Sequence, residues 1–241
     1  MTFDVEPFWT NIPERYDRDA WGKVFDESEK YTNLFIDYCV MNNLPATFFI
    51  VGKWAELHSD VVKRIGRCDL FELGSHSYWH EDVSKLSNHD FLDDAKASKS
   101  ILEDFTGQKV IRYRAPSFSI KPHQFELLHQ VGYQIDSSVT SAGRIYGGNI
   151  NPEEVTDKLD YYPLNGAHVF GKELTILGGG YLRSLPRVLL RSISNSEIGN
   201  MVYLHPHDLS EHISWYKELT FLQNVRKRIH VGNMFQKLGV L

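Results

Sequence analysis

The chain has 241 residues, 42% hydrophobic and 24% charged, with a formal net charge of -5. These values describe one globular domain with a sizeable core and exclude a disordered or fibrous chain. The acidic balance excludes the basic stripe of a nucleic-acid binder, and no apolar run approaches the ~18 residues of a membrane span.

In chain order, Asp4-Val5-Glu6 comes first, set among Phe3, Phe8 and Trp9. In an extended strand its two acids point to one side. Tyr31, Leu34, Phe35, Tyr38 and Cys39 fall on one helical face, and the β-branched and aromatic run 46–51 predicts a buried strand ending at Gly52. A second helix carries Phe91, Ala95, Ser98, Ile101, Leu102 and Phe105, with Asn88 as its N-cap and Gly107 as its stop. A third begins near Pro122, buries Phe125, Leu128 and Val131, and closes at Gly132. Further strands are predicted at 71–75, 110–114, 133–135, 168–170, 174–177 and 201–204. Strands alternating with helices predict βα units and a largely parallel sheet. About seven strands over this length suit an α/β barrel, with residues 1–241 as a single domain. From Ile213 on, Trp215, Phe221, Leu222 and Val225 mix with Arg226, Lys227 and Arg228. That pattern reads as a last barrel helix with a solvated face rather than a membrane-surface helix. Cys39 and Cys68 lack metal spacing and read as reduced thiols. With no basic, apolar leader at the N-terminus, a cytoplasmic location is expected.

The polar residues carry the functional signal. Asp4, His76, Arg114, Asp136 and His205 each lie at, or just past, the C-terminal end of an apolar run. In barrels of parallel strands that rim carries the catalytic groups. The i,i+4 pair His76/His80 is only a hypothesis alone, but it follows Glu72-Leu73-Gly74-Ser75 at a strand end. Two His and one carboxylate form a common site for zinc or a similar metal, with a position open to water. Of Asp4 and Glu6, one can ligate metal and the other can take a proton from water. Arg114 reads either as a surface ion pair or, near a buried carboxylate, as the group that would hold that acid ionised and fixed. Asp136 reads equally as a turn cap. His205 directly follows an apolar strand, while His207 and Asp208 read as supporting or loop groups. His58, His89, His123, His129, His212 and His230 read as solvent-facing. The chain therefore reads as a metal-dependent hydrolase.

These residues resemble, in order over nearly the whole chain, the motifs of the polysaccharide deacetylase family of carbohydrate esterases. Thr2-Phe3-Asp4, Ala46-Thr47-Phe48-Phe49, His76 to His80, Arg114-Ala115-Pro116-Ser117-Phe118-Ser119, Asp136-Ser137-Ser138 and Leu204-His205-Pro206 carry the resemblance. Gly178-Gly179-Gly180-Tyr181-Leu182-Arg183 resembles a stretch of members from exopolysaccharide and surface-glycan clusters. The resemblance implies a distorted (β/α) barrel of about seven parallel strands. It implies Asp4 as base, Arg114 as the base's partner, His205 as general acid, and His76 and His80 as ligands of a divalent metal, zinc first among them. The usual second aspartate of the first motif is Val5 here, and relatives with an Asp-x-Glu version make Glu6 the third ligand.

The implied reaction removes an N-acetyl or related N-acyl group from an amino sugar. His205, oriented by Asp136, protonates the departing amine. Trp9, Trp79, Phe118 and Tyr181 are expected to stack on sugar rings. The expected partner is an amino-sugar glycan of a surface-glycan or lipopolysaccharide precursor, lipid-linked or nucleotide-activated. Two alternatives stand beside this: a metal-independent amidohydrolase of the allantoinase-like branch, motivated by Val5, and an inactive glycan-binding barrel.

Overall fold

In a computed structural model, residues 1–9, 18–23, 26–139, 144–145, 148–149, 159–163, 167–169, 172–174, 178–187, 190, 202–211, 217, 219–228 and 234–239 are described. The first strand, β1 (Thr2–Val5), is buried along its whole length. Its alternation sorts two chemistries to two faces. Phe3 stacks on Phe35 at 4.3 Å and meets Phe48 edge-on at 5.9 Å, while Thr2 and Asp4 both reach the Arg114 guanidinium. The apolar face packs on the following helix, and the polar face lines the mouth of the sheet.

That helix, α1 (Ser28–Met41), buries Ser28, Tyr31, Thr32, Phe35, Ile36 and Cys39. Leu34, expected on the buried face, is 40% exposed. The face is rotated because Ser28 and Thr32 can be buried once bonded: Trp54 Nε1 donates to Ser28 Oγ at 2.7 Å, and Thr32 Oγ1 donates to the Ser28 carbonyl at 2.7 Å. Next come β2 (Ala46–Ile50), α2 (Gly52–Leu57), α3 (Ser59–Gly66), β3 (Phe71–Ser75) and α4 (Asn88–Thr106). The N-cap of α4 is Ser87 rather than Asn88, since Ser87 Oγ accepts from the Asp90 amide at 3.1 Å. Gly107 ends α4 at φ 69, in the left-handed conformation that favours glycine. After β4 (Arg112–Tyr113), α5 (Pro122–Val131) closes at Gly132 and leads to β5 (Ile135–Asp136).

The remaining elements are shorter: β6 (Arg144–Ile145), β7 (Gly148–Asn149), β8 (Asp160–Tyr161), β9 (Ala167–Val169), β10 (Lys172–Leu174), α6 (Gly179–Ser184), β11 (Tyr203–Leu204), α7 (Pro206–Leu209), α8 (Phe221–Arg228) and α9 (Met234–Leu238). Seven strands form one parallel sheet in the order β11-β1-β2-β3-β4-β5-β8, curled into a half-barrel flanked by helices. This is the distorted (β/α) barrel expected from the sequence.

Among the described residues, His168 and Val169 of one predicted strand and Leu174 of another belong to β9 and β10, an antiparallel pair outside the sheet, and Asp160–Tyr161 takes the outer position beside β5. The short spacing between those two runs suits a hairpin, not a parallel crossover, which needs a dozen residues or more. Residues 170, 175–177, 201, 213–216 and 218 of the predicted elements, and His212 and His230, lie outside the described residues. Among the described residues, no helix is long and apolar enough to cross a membrane.

The turn after β2 supports the loop that follows β3. The Gly52 and Lys53 amides donate to the Ser77 and Tyr78 carbonyls, each at 2.9 Å. A Cβ on Gly52 would lie 2.5 Å from Tyr78 Cδ2, 3.1 Å from Tyr78 Cα and 3.2 Å from Ser98 Cα. Gly52→Ala is therefore expected to force the loop outward and to destabilise the fold by about 1–3 kcal/mol. Chemical denaturation measures this, and an unchanged midpoint would mean that the loop yields without strain.

Candidate active site and metal centre

Glu6 follows β1 directly, His76 follows β3, and all of Glu6, His76 and His80 are buried. The His pair is not helical. Left-handed backbone at Ser77 (φ 60) and His80 (φ 61) folds the loop back so that both imidazoles face one point, their centroids 5.1 Å apart. Such conformations cost non-glycine residues roughly 1–3 kcal/mol each and persist where surroundings enforce them. Here Ser77 Oγ accepts from the His80 amide at 2.8 Å, and Asp94 of α4 accepts from the Tyr78 and Trp79 amides at 2.9 and 3.2 Å. Burial pushes the Asp94 carboxyl up to about 6 despite those bonds.

One atom each of Glu6, His76 and His80 lies within 4.8 Å of the others. Glu6 Oε2 contacts His80 Nε2 directly and stands 3.9 Å from His76 Nε2. His76 Nδ1 donates to the Arg114 carbonyl at 2.8 Å, which leaves its Nε2 lone pair toward Glu6. Burial lowers the His76 pKa to about 4, with the His80 charge adding to it and Asp4 and Glu6 opposing. Burial raises the Glu6 pKa, but His80, His205 and His76 outweigh it and hold the carboxyl well below its usual range. A neutral imidazole and an ionised carboxylate are the forms that bind a metal, so this donor set fits one.

Asp4 is held by Arg114. Its Oδ1 accepts from Arg114 Nη1 at 2.6 Å, and its Oδ2 lies 3.9 Å from His205 Nε2. Arg114 has no solvent exposure. Its Nη1 also reaches Thr2 Oγ1 at 3.0 Å, its Nη2 reaches Ser137 Oγ at 2.9 Å, and its Nε reaches the Ser137 carbonyl at 3.2 Å.

Two sequence expectations, for Asp136 and for Trp9, are corrected by the structure. Asp136 does not hold His205: its oxygens accept from the Ser138 amide and hydroxyl, both at 2.8 Å, and Ser138 Oγ accepts from the Ala115 amide at 2.8 Å. Asp136 thus braces the end of β4, with burial pushing its carboxyl up to about 7. The partner of His205 Nδ1 is Asp208, at 3.1 Å. Asp208 is also 3.4 Å from Arg183, a residue not singled out as functional. The signals available for this pair were the three-residue spacing from His205 to Asp208 and the glycine run before Arg183.

Trp9 is a core residue, packed edge-on against Trp21 at 5.0 Å, and cannot present a sugar platform. Trp79 is half-buried with the Arg18 guanidinium 4.8 Å over its ring, beside a cavity of about 520 Å³ walled by Glu81, Asp90, Asp93 and Asp94. Phe118 meets Tyr203 at 5.6 Å, and Tyr203 meets His205 at 5.8 Å. The Tyr181 side chain lies outside the described residues.

Comparison with known proteins bears on this arrangement. The family described as Polysaccharide deacetylase matches residues 13–135, just over half of the chain, and a domain of unknown function, DUF3473, matches residues 140–241. The chain belongs to the polysaccharide deacetylase family. It is 28% identical over 126 residues to a peptidoglycan-N-acetylglucosamine deacetylase of Bacillus cereus, covering 52% of this chain and 43% of the relative. It is 23% identical over 124 residues to chitin deacetylase 1 of Cryptococcus neoformans, covering 51% of this chain and 26% of the relative. The chain thus spans less than half the length of either relative. A crystal structure from Mycobacterium smegmatis, assigned to the polysaccharide deacetylases, superposes with a TM-score of 0.63 at 18% identity, over 99% of this chain and 81% of that one. It supports the fold.

Removing Arg114 leaves the Asp4 charge buried without its 2.6 Å partner. Breaking a buried ion pair from one side costs about 3–5 kcal/mol. Arg114→Met, which keeps much of the side-chain volume, is expected to lower stability by that amount in a denaturant titration. A loss below about 1 kcal/mol would place the pair among weakly coupled ones.

Proposed function

We propose that this protein is a metal-dependent deacetylase that hydrolyses the N-acetyl group of an amino sugar within a glycan. One observation carries the reading: across a single residue of chain, Glu6 faces two imidazoles while Asp4 faces an arginine and a third imidazole. These nearest contacts favour Glu6 for metal binding and Asp4 for proton transfer. Glu6, His76 and His80 would hold the ion, zinc being the first candidate for one carboxylate and two imidazoles. When bound, the ion supplies Lewis acidity for the acyl oxygen and for water.

Asp4 takes the proton of the attacking water as its oxygen bonds to the acyl carbon, and Arg114 holds Asp4 in place. When the tetrahedral intermediate collapses, the carbon–nitrogen bond breaks and His205 Nε2 delivers a proton to the amine. Acetate and a free amino sugar result. The 3.9 Å between His205 Nε2 and Asp4 Oδ2 suits an acid and a base serving one reacting centre. Burial lowers the His205 pKa, but the Asp208 bond and the Glu6, Asp208 and Asp4 charges outweigh it and raise the value to about 9. His205 is then protonated at neutral pH, as a general acid must be.

The substrate reading follows from the relatives, whose names specify peptidoglycan N-acetylglucosamine and chitin. A narrower proposal, a surface-glycan precursor, rests on the resemblance of Gly178 to Arg183 to members from such gene clusters. We also propose that residues 1–241 work as one catalytic unit, because His205 and Asp4 come from adjacent strands. The test is a screen of N-acetylated amino-sugar oligomers and precursors for released acetate, with and without zinc. Release that disappears on chelation and returns with metal is expected. Release that survives full chelation favours the metal-independent amidohydrolase, and glycan binding without release favours the inactive barrel.

The purified protein is expected to carry about one divalent ion per chain, as three converging ligands allow. His76→Ala, His80→Ala and Glu6→Ala should each lower metal content, whereas Asp4→Asn should retain it and cut turnover roughly 10²–10⁴-fold. If Asp4→Asn loses metal and Glu6→Ala keeps it, the two carboxylates have the opposite roles.

The sign of the pH dependence follows from His205. A general acid fails once deprotonated, so kcat should fall as pH rises through the His205 pKa of about 9. A metal neutralising Glu6 moves that limb to lower pH. His205→Ala should lose the limb and most of kcat while melting like wild type; near-normal turnover would remove His205 from the mechanism.

A further inference from the structure

His205, His207 and Asp208 also converge within 4.8 Å, outside the Glu6 centre. Their surroundings argue against a second metal. Asp208 Oδ1, an oxygen such a metal would use, is buried with no hydrogen bond among the described residues and has Arg183 Nη2 at 3.4 Å and His207 Nε2 at 3.7 Å. A guanidinium at that distance repels a cation and instead stabilises the carboxylate. With His207, His205 and Arg183 around it, Asp208 lies well below the usual carboxylate range even though burial pushes it up.

The other oxygen does the positioning. Asp208 Oδ2 accepts from both the His205 amide at 2.9 Å and His205 Nδ1 at 3.1 Å. His205 is the N-cap of α7 and Asp208 its third residue, so one carboxylate oxygen fixes the backbone and the ring of the same histidine. A carboxylate only accepts, so the bonded Nδ1 carries the proton and Nε2 is the nitrogen turned toward Asp4. The His207 ring, 4.9 Å from that of His205 and tilted 20°, stacks on it.

The glycine run now has a reason. A Cβ on Gly179 would fall inside the Asp208 carboxylate, and Arg183 lies four residues, about one helical turn, further along α6. One face of α6 therefore offers Asp208 an open space and a positive charge. Asp136, the carboxylate expected in this role, is committed to Ser138.

We infer that Asp208, braced by Arg183 and admitted by Gly179, is the positioning residue that sets the tautomer and orientation of His205. This rests on the proposed role of His205 as general acid. The charged groups around His205 are Asp4 and Glu6 from the β1 end, Asp208 and His207 on α7, and Arg183 on α6.

The test compares wild type, Asp208→Asn, Arg183→Met and Arg183→Lys in the full chain loaded with zinc. Recorded above the His205 pKa of about 9, where the ring is neutral, nitrogen-15 NMR of labelled histidine reads which His205 nitrogen carries the proton, with the signal assigned by its absence in His205→Ala. Wild type should show a protonated Nδ1. Asp208→Asn, the same shape without the charge, should abolish that preference and move the alkaline limb of kcat down by about one pH unit or more. It should lower kcat about 10–100-fold with KM and metal content unchanged. Arg183→Met, which leaves Asp208 unbraced, should weaken the Nδ1 preference by less than Asp208→Asn does, and Arg183→Lys should restore it. The NMR reading needs no substrate, so a wrong substrate assignment would leave it intact. A folded Asp208→Asn protein with unchanged tautomer and limb would reduce Asp208 to a helix cap. A second zinc per chain, lost in Asp208→Asn, would make the cluster a metal site. Either result overturns the inference.

Discussion

A guanidinium without solvent exposure sits in the mouth of this sheet, and its charge must be answered there. Arg114 is answered by Asp4, Thr2 and Ser137, with its plane 4.1 Å over the Phe49 ring. Desolvating such a pair is expensive, and replacing it with apolar groups is often neutral or stabilising, so stability alone gives little reason to keep it. What it provides is position. The side chain of Arg114 fixes Asp4, and its backbone carbonyl fixes the tautomer of His76. One residue thereby sets the orientation of the proposed base and of a proposed metal ligand.

The same mouth concentrates backbone strain. Of the described non-glycine residues with positive φ, Ser77 and His80 lie in the loop after β3, and Ser117 and Phe118 lie just past Arg114; only Asn43 is elsewhere. Each loop is held from behind: by Gly52 and Asp94 in the first case, and by Ser138 at Ala115 and Ser119 at Pro116 in the second. Burial works against Asp94, yet its two amide bonds stop the loop from relaxing. The supporting groups are as necessary to the imidazole geometry as the imidazoles themselves.

Much of this was legible in sequence because strand ends and residue types are local. An apolar run ending in a reactive side chain places that side chain at the rim, and Asp4, His76, Arg114, Asp136 and His205 follow that rule. What failed depended on tertiary choice. Trp9 looks like a sugar platform until Trp21 is packed against it. The runs around 168 and 174 have strand composition, but composition does not say whether they pair with the sheet or with each other. Asp136 and Asp208 are both acids within reach of a rim, and only the backbone path sends one to Ser138 and the other to His205.

Three stretches of chain have to meet for the site to exist. Asp4 and Glu6 precede the segment matched to the deacetylase family, His76, His80 and Arg114 lie inside it, and His205 and Asp208 belong to the second matched segment. The meeting is enforced by register. Thr2 pairs with Tyr203 and Phe3 with Leu204 on one side of β1, while Thr2 to Val5 pair with Thr47 to Ile50 on the other. Because side chains alternate along a strand, a slip of one residue in β1 would turn Asp4 into the apolar layer and Phe3 into the mouth. The Phe3, Phe35 and Phe48 rings oppose that slip on one face, and the Arg114 charge opposes it on the other. The apolar core and the buried ion pair therefore select the same register, and that register is what sets Asp4 opposite His205.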